Sequence, residues 1–206
     1  MPLTTVIFDL GGVVLGSPLR AIRQYEQDQE LPVGAVGRHI NASGSAGAWS
    51  RLECGELDLR AFCEAFDEEC RAASLPITGR ELMRRIGRVT KPRPEMLEAI
   101  ARLRQAELRV AALTNNWHGE GDGTRVLAPH FDAFFESAVL GLRKPDPRIY
   151  HHVCQELGIE AEQAVFLDDI GSNLKTARKL GMTTIKVDEP RDALSELSAL
   201  LGIDLT

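Results

Sequence analysis

The sequence predicts an α/β fold, a doubly wound parallel sheet into which an all-helical block is inserted after the first strand. Three observations carry this. Short apolar runs recur along the chain without strict polar alternation, as in parallel strands covered on both faces. Amphipathic helical patterns separate them, and strand–helix alternation implies a parallel sheet with right-handed crossovers. One long stretch, 17–90, has helical periodicity throughout and no strand pattern.

In chain order, the first strand covers 5–8, a run of Thr, Val, Ile and Phe that ends at Asp9. Helices then follow at about 18–30, 33–41, 58–72 and 78–87, with a Gly/Ser-rich segment, 41–48, placed between helices ahead of Trp49. After a helix at 94–106 come strands at 109–113, 164–167 and 183–187, with a weaker one at 134–139. Further helices occupy 146–157, 171–180 and 190–201. The Rossmann-like core therefore comprises 1–16 and 91–206, and residues 17–90 form a helical cap subdomain. No repeats or low-complexity segments interrupt this plan.

Composition excludes several classes. The chain has 206 residues, 44% of them hydrophobic and 26% charged, enough to bury a core without disulfides or metal staples. A net charge of −6 offers nothing to nucleic acid or to an anionic membrane. Cys54, Cys63, Cys70 and Cys154 form no CxxC pair and are read as structural thiols in a reducing compartment. The N-terminus leads directly into a strand without signal-peptide character, and no apolar run reaches membrane-spanning length. The expected setting is cytoplasmic, with a small-molecule substrate and a monomeric or homodimeric protein.

Ligands of open α/β sheets bind beyond the carboxyl ends of the strands, where strand order reverses. Three strands end in polar residues there: Asp9, then Thr114-Asn115-Asn116, then Asp168-Asp169. Lys144, just before a helix starting near Asp146, joins them. Three carboxylates in one pocket repel one another unless a divalent cation sits among them. A lysine with hydroxyl and amide donors suits phosphate oxygens. These are the parts of a phosphoryl-transfer site.

Four stretches, in order, resemble the motifs of the haloacid dehalogenase superfamily. They are Val-Ile-Phe-Asp9-Leu-Gly-Gly-Val-Val, Leu113-Thr114-Asn115, Lys144 within Gly-Leu-Arg-Lys-Pro-Asp-Pro, and Phe166-Leu-Asp168-Asp169-Ile-Gly-Ser-Asn173-Leu. The sequence is most similar to the branch that includes the N-terminal phosphatase domain of soluble epoxide hydrolase and a similar domain in an acyl-CoA dehydrogenase family member. The resemblance implies that Asp9 attacks phosphorus and is phosphorylated, that Thr114 and Asn115 hold the phosphoryl oxygens, and that Lys144, also at the phosphate, neutralises charge on the nucleophile and the phosphoryl group. It implies that Mg²⁺ is bound by Asp9, Asp169 and the carbonyl of Gly11, with Asp168 and Asn173 in support. The implied activity is Mg²⁺-dependent hydrolysis of a small phosphorylated metabolite. The alternatives are a metal-independent 2-haloacid dehalogenase and a non-catalytic protein that binds a phosphorylated ligand or a partner.

One position departs from the family pattern. Its phosphatases carry a second aspartate two residues after the nucleophile, as general acid and then base; here Gly11 stands there. Its carbonyl still serves a metal, but it cannot protonate a leaving group, and a glycine can adopt backbone angles an aspartate resists. His118 is the nearby residue able to supply a proton. Trp117, Trp49 and Arg51 are placed at the pocket border or in packing, and His151 and His152 are not read as ligands. Gly11-Gly12 lacks the spacing of a dinucleotide site.

Overall fold

A computed structural model describes residues 1–119 and 124–205. Its five strands are β1 (Thr5–Phe8), β2 (Arg109–Thr114), β3 (Ala133–Glu136), β4 (Ala164–Asp168) and β5 (Thr183–Lys186), in the order β3-β2-β1-β4-β5 and all parallel. Alternate residues of β1 serve opposite faces. Val6 and Phe8 join a cluster with Met96, Leu103, Leu194 and Leu197, whereas Ile7 packs with Ile149, Val153 and Leu174. These partners lie on α6 (Pro94–Gln105) and α10 (Pro190–Leu201) on one face, and on α8 (Pro147–Leu157) and α9 (Gly171–Lys179) on the other. All four β1 residues are buried, so the strand reads as a continuous apolar run, as the sequence did. The expected weak strand at 134–139 is shorter: β3 ends at Glu136, and Ser137–Leu140 turns into the brief helix α7.

The helical block consists of α1 (Pro18–Asp28), α2 (Ala35–Ser43), α3 (Ala48–Glu53), α4 (Leu59–Ala72) and α5 (Gly79–Val89). It owns a separate hydrophobic core that includes Tyr25, Leu52, Phe62, Phe66, Leu82 and Ile86. The expectation missed α3, because six residues give too little periodicity to register beside the Gly/Ser run. Trp49 and Arg51 lie on this helix. Trp49 packs against Phe62 and Phe66, and Arg51 pairs with Glu56, so each has a local partner within the block.

The chain leaves and re-enters the sheet domain through adjacent crossings. Leu15 and Pro92 form an antiparallel bridge; the Gly16 N–H donates to the Lys91 carbonyl at 3.0 Å and the Arg93 N–H to the Val14 carbonyl at 2.9 Å. Among the described residues no helix is long and apolar enough to cross a membrane.

Candidate active site

The switch point between β2 and β4, with β1 between them, gathers the polar strand ends. The ladder between β1 and β4 runs one step past the strand, where the Asp9 N–H donates to the Leu167 carbonyl at 2.9 Å. That bond fixes Asp9 at the sheet edge. Its Oδ1 accepts the Leu10 N–H at 2.6 Å and lies 2.8 Å from Nζ of Lys144. Among the described residues, Oδ2 of Asp9 takes no hydrogen bond, which leaves one carboxylate oxygen for chemistry.

Lys144 is 1% exposed, and its ammonium makes three contacts: Oδ1 of Asp9, Oδ2 of Asp168 at 2.8 Å and the Leu113 carbonyl at 2.9 Å. An ammonium has three protons to give. Here all three are directed to Asp9, Asp168 and the Leu113 carbonyl, so the ammonium lies against the carboxylate of Asp9. Burial works against its charge, but Asp168 and Asp9 outweigh burial and hold its pKa above the ordinary lysine value. Asp168 is fully buried and saturated. Its oxygens accept Lys144, Nδ2 of Asn173 at 3.1 and 3.0 Å, and the Ile170 N–H at 2.7 Å. Asp168 thus ties Asn173 and Lys144 together.

The Asn115 side chain binds the peptide of Lys144. Its Oδ1 accepts the Lys144 N–H at 2.9 Å, and its Nδ2 donates to the Lys144 carbonyl at 3.0 Å and to Oε2 of Glu53 at 3.3 Å. The amide clamps the lysine backbone, so it is not free to hold phosphate. Thr114, buried at the end of β2, makes only a long 3.4 Å hydrogen bond to the Asn115 carbonyl and keeps its hydroxyl available.

Asp169 is partly buried, and its Oδ2 accepts the Ser17 hydroxyl at 3.2 Å. Gly12 makes room for it. A side-chain carbon at Gly12 would lie 2.0 Å from that same oxygen, and its φ of +83° is left-handed. Gly11 is different: φ −65° and ψ 120° suit any residue, aspartate included. His118 is exposed, and its Nε2 lies 3.1 Å from the Ala138 carbonyl.

Oxygens of Asp9, Asp168 and Asp169 lie within 4.8 Å of one another with one ammonium among them. Burial, with the neighbouring carboxylates adding and Lys144 opposing, pushes the Asp9 carboxyl well above its ordinary range. Burial and then Asp168 push Asp169 to about 6, against the Ser17 hydrogen bond. Three acids against one cation leave an excess of negative charge, and hard oxygen donors of this kind fit a divalent cation such as Mg²⁺.

The raised Asp169 pKa has a measurable consequence without divalent cation. Folding favours its protonated form, so its stability contribution is complete below the unfolded pKa, near 3.8, and is lost as pH rises through about 6. Roughly two pKa units correspond to about 3 kcal/mol. Wild type minus Asp169→Asn, measured by urea unfolding with chelator, is expected to fall by about that much between pH 4 and pH 7. A pH-independent difference would show that Asp169 is not strained by its neighbours.

The sequence pattern of haloacid dehalogenase-like hydrolases matches residues 3–181. The chain is 40% identical over 205 residues to acyl-CoA dehydrogenase family member 10 of Mus musculus, covering 97% of this chain and 19% of that protein. It is 33% identical over 221 residues to bifunctional epoxide hydrolase 2 of Sus scrofa, covering 100% of this chain and 40% of the relative. It thus spans well under half of either. A sesquiterpene phosphatase of Aspergillus oryzae is 24% identical over 213 residues and is matched over 95% of both chains. Among solved structures, a predicted HAD-like family hydrolase from Porphyromonas gingivalis has a TM-score of 0.70 at 22% identity, covering 98% of each chain. A HAD family enzyme of Bacteroides thetaiotaomicron, in complex with magnesium and inorganic phosphate, has a TM-score of 0.61 at 18% identity, covering 89% of this chain and 93% of that one.

Proposed function

This chain belongs to the haloacid dehalogenase-like hydrolases, and from that premise we propose that it is a Mg²⁺-dependent phosphatase acting on a small phosphorylated metabolite. The observation that carries the reading is the acidic cluster anchored by Lys144: a nucleophile with one free oxygen beside two further carboxylates. Oδ2 of Asp9 forms a bond to phosphorus while the bond from phosphorus to the leaving oxygen breaks. That oxygen departs with its electron pair and takes a proton from water. A second water then attacks phosphorus as the bond from phosphorus to Oδ2 of Asp9 breaks, its proton passing to the hydroxide left by the first water, which releases inorganic phosphate and restores Asp9.

Lys144 opposes the protonation of Asp9 that burial favours and aims its carboxylate, and Thr114 donates its hydroxyl to a phosphoryl oxygen. Asp9, Asp169 and the Gly11 carbonyl would hold Mg²⁺, with Asp168 and Asn173 fixing the surroundings. A bound Mg²⁺ supplies charge neutralisation for the transferring group, which is most of what such sites contribute. The phosphatase name of the A. oryzae relative and the magnesium–phosphate complex of the structural neighbour support the reading. The same reading takes the protein as cytoplasmic and as a monomer or homodimer, with neither nucleic acid nor membrane as partner.

The test is turnover of a panel of phosphate esters and 2-haloacids, with chelator and with Mg²⁺. Phosphate ester hydrolysis is expected to vanish with chelator and return with Mg²⁺, and Asp169→Asn to raise the Mg²⁺ requirement by roughly 10-fold or more. Halide release that is indifferent to chelator would replace this reading with dehalogenation. Activity toward neither class would favour a non-catalytic binding protein.

A further inference from the structure

One buried carboxylate near the site has no part in the mechanism above. Glu53 ends α3 in the helical block and is 7% exposed. Its Oε2 accepts Nε of Arg143 at 2.5 Å and Nδ2 of Asn115 at 3.3 Å. Arg143 also reaches the Ser50 hydroxyl at 3.1 Å. Both groups that Glu53 holds across the interface act on the same peptide. Arg143 immediately precedes Lys144, and Asn115 grips the Lys144 N–H and carbonyl.

Charge is costly to bury, and an apolar pair of similar size would join two packed surfaces at least as well. Here a carboxylate was placed where its donors converge on the lysine that anchors the nucleophile. We propose that Glu53 is a positioning residue: from the helical block it fixes the loop that carries Lys144, and so holds the lysine against Asp9. The inference rests on the phosphatase reading only for its kinetic consequence.

Two measurements test it separately. In metal-free protein, limited acetylation with acetic anhydride is followed residue by residue by mass spectrometry. Lys91, Lys175, Lys179 and Lys186 are exposed and calibrate the reagent, whereas Lys144 is buried. Glu53→Gln keeps the shape but loses the charge that holds Arg143. Lys144 labelling is expected to rise about 10-fold, the low end of what losing a supporting partner does at such sites. Glu53→Asp, which keeps the charge on a shorter arm, should fall between. Phe66→Leu, which loosens the core of the same block, should leave Lys144 protected at a matched loss of thermal stability.

The kinetic arm uses an aryl phosphate with Mg²⁺. Glu53→Gln is expected to lower kcat about 10–100-fold with KM little changed. In the Asn115→Ala background it should add almost nothing, because both substitutions cut one chain of contacts. If Lys144 stays as protected in Glu53→Gln as in wild type, or if the two effects multiply, the proposal is overturned. If the wild type hydrolyses no phosphate ester, the functional reading fails while the labelling arm still decides the role of Glu53.

Discussion

Asp9→Asn is expected to bring phosphate ester turnover to background, a loss on the order of 10⁴–10⁶-fold, as when other enzymes lose their nucleophile. The amide has the shape of the carboxylate and can still accept the Leu10 N–H, now at 2.6 Å. What disappears is the charge that attacks phosphorus and pairs with Lys144. The fold should survive, because burial already disfavours the ionised acid, and Lys144 keeps Asp168 and the Leu113 carbonyl. Melting temperatures of the two proteins should therefore be similar in metal-free buffer. With labelled substrate and acid quench, the wild type should carry a hydroxylamine-sensitive phosphoryl group and the variant none. Label attached elsewhere, or substantial turnover by the variant, would remove Asp9 from the chemistry.

Gly11→Asp should change the enzyme in the opposite direction. Without a positioned acid, negative charge builds on the departing oxygen, so the wild-type rate should depend steeply on leaving-group pKa. Aryl and acyl phosphates should turn over much faster than alkyl phosphates. Slow hydrolysis of the aspartyl phosphate should also give a burst with good leaving groups, since no base activates the water. The extended backbone at Gly11 accepts an aspartate, and a side-chain carbon there would lie 3.3 Å from the Pro18 ring, which must yield by a few tenths of an ångström. A carboxyl added beside Asp9 and Asp169 would have its pKa raised by theirs, which favours the protonated donor near neutrality. Gains up to about 10²–10⁴-fold are expected for poor leaving groups, and smaller ones for aryl esters. Plots of log kcat/KM against leaving-group pKa for both proteins decide this. A flat wild-type line would show that another residue already gives the proton.

The strands that carry the site were legible because each of those three is a compact apolar run ending in a polar residue, and a parallel sheet brings such ends together whatever the loops do. That logic placed Asp9, Thr114, Asp168 and Lys144 in one site from sequence alone. It could not divide their labour. Whether Lys144 faces phosphate or Asp9, and whether Asn115 holds a ligand or a peptide, depends on side-chain contacts that motif spacing does not encode. Glu53 was invisible for a different reason. Its helix is too short to show a period, and its partners Asn115 and Arg143 lie 62 and 90 residues away in the chain. Residue identity left open which glycine of the pair is needed by the backbone: Gly11 has ordinary angles, and Gly12 next to it is the one that geometry demands.

The side-by-side crossings at Leu15–Gly16 and Lys91–Arg93 also bear on how such a gene can change. An insertion whose ends are already hydrogen-bonded to each other can be lengthened, trimmed or exchanged without rerouting any strand, because the closure that joins its ends belongs to the host domain. The helical block is in this sense a cassette. Its ties to the site run through Ser17 to Asp169, and through Glu53 and Ser50 to the loop at Lys144. A replacement that supplied the two hydroxyls and the carboxylate at those places would inherit the catalytic machinery intact, while presenting a different wall to whatever molecule enters.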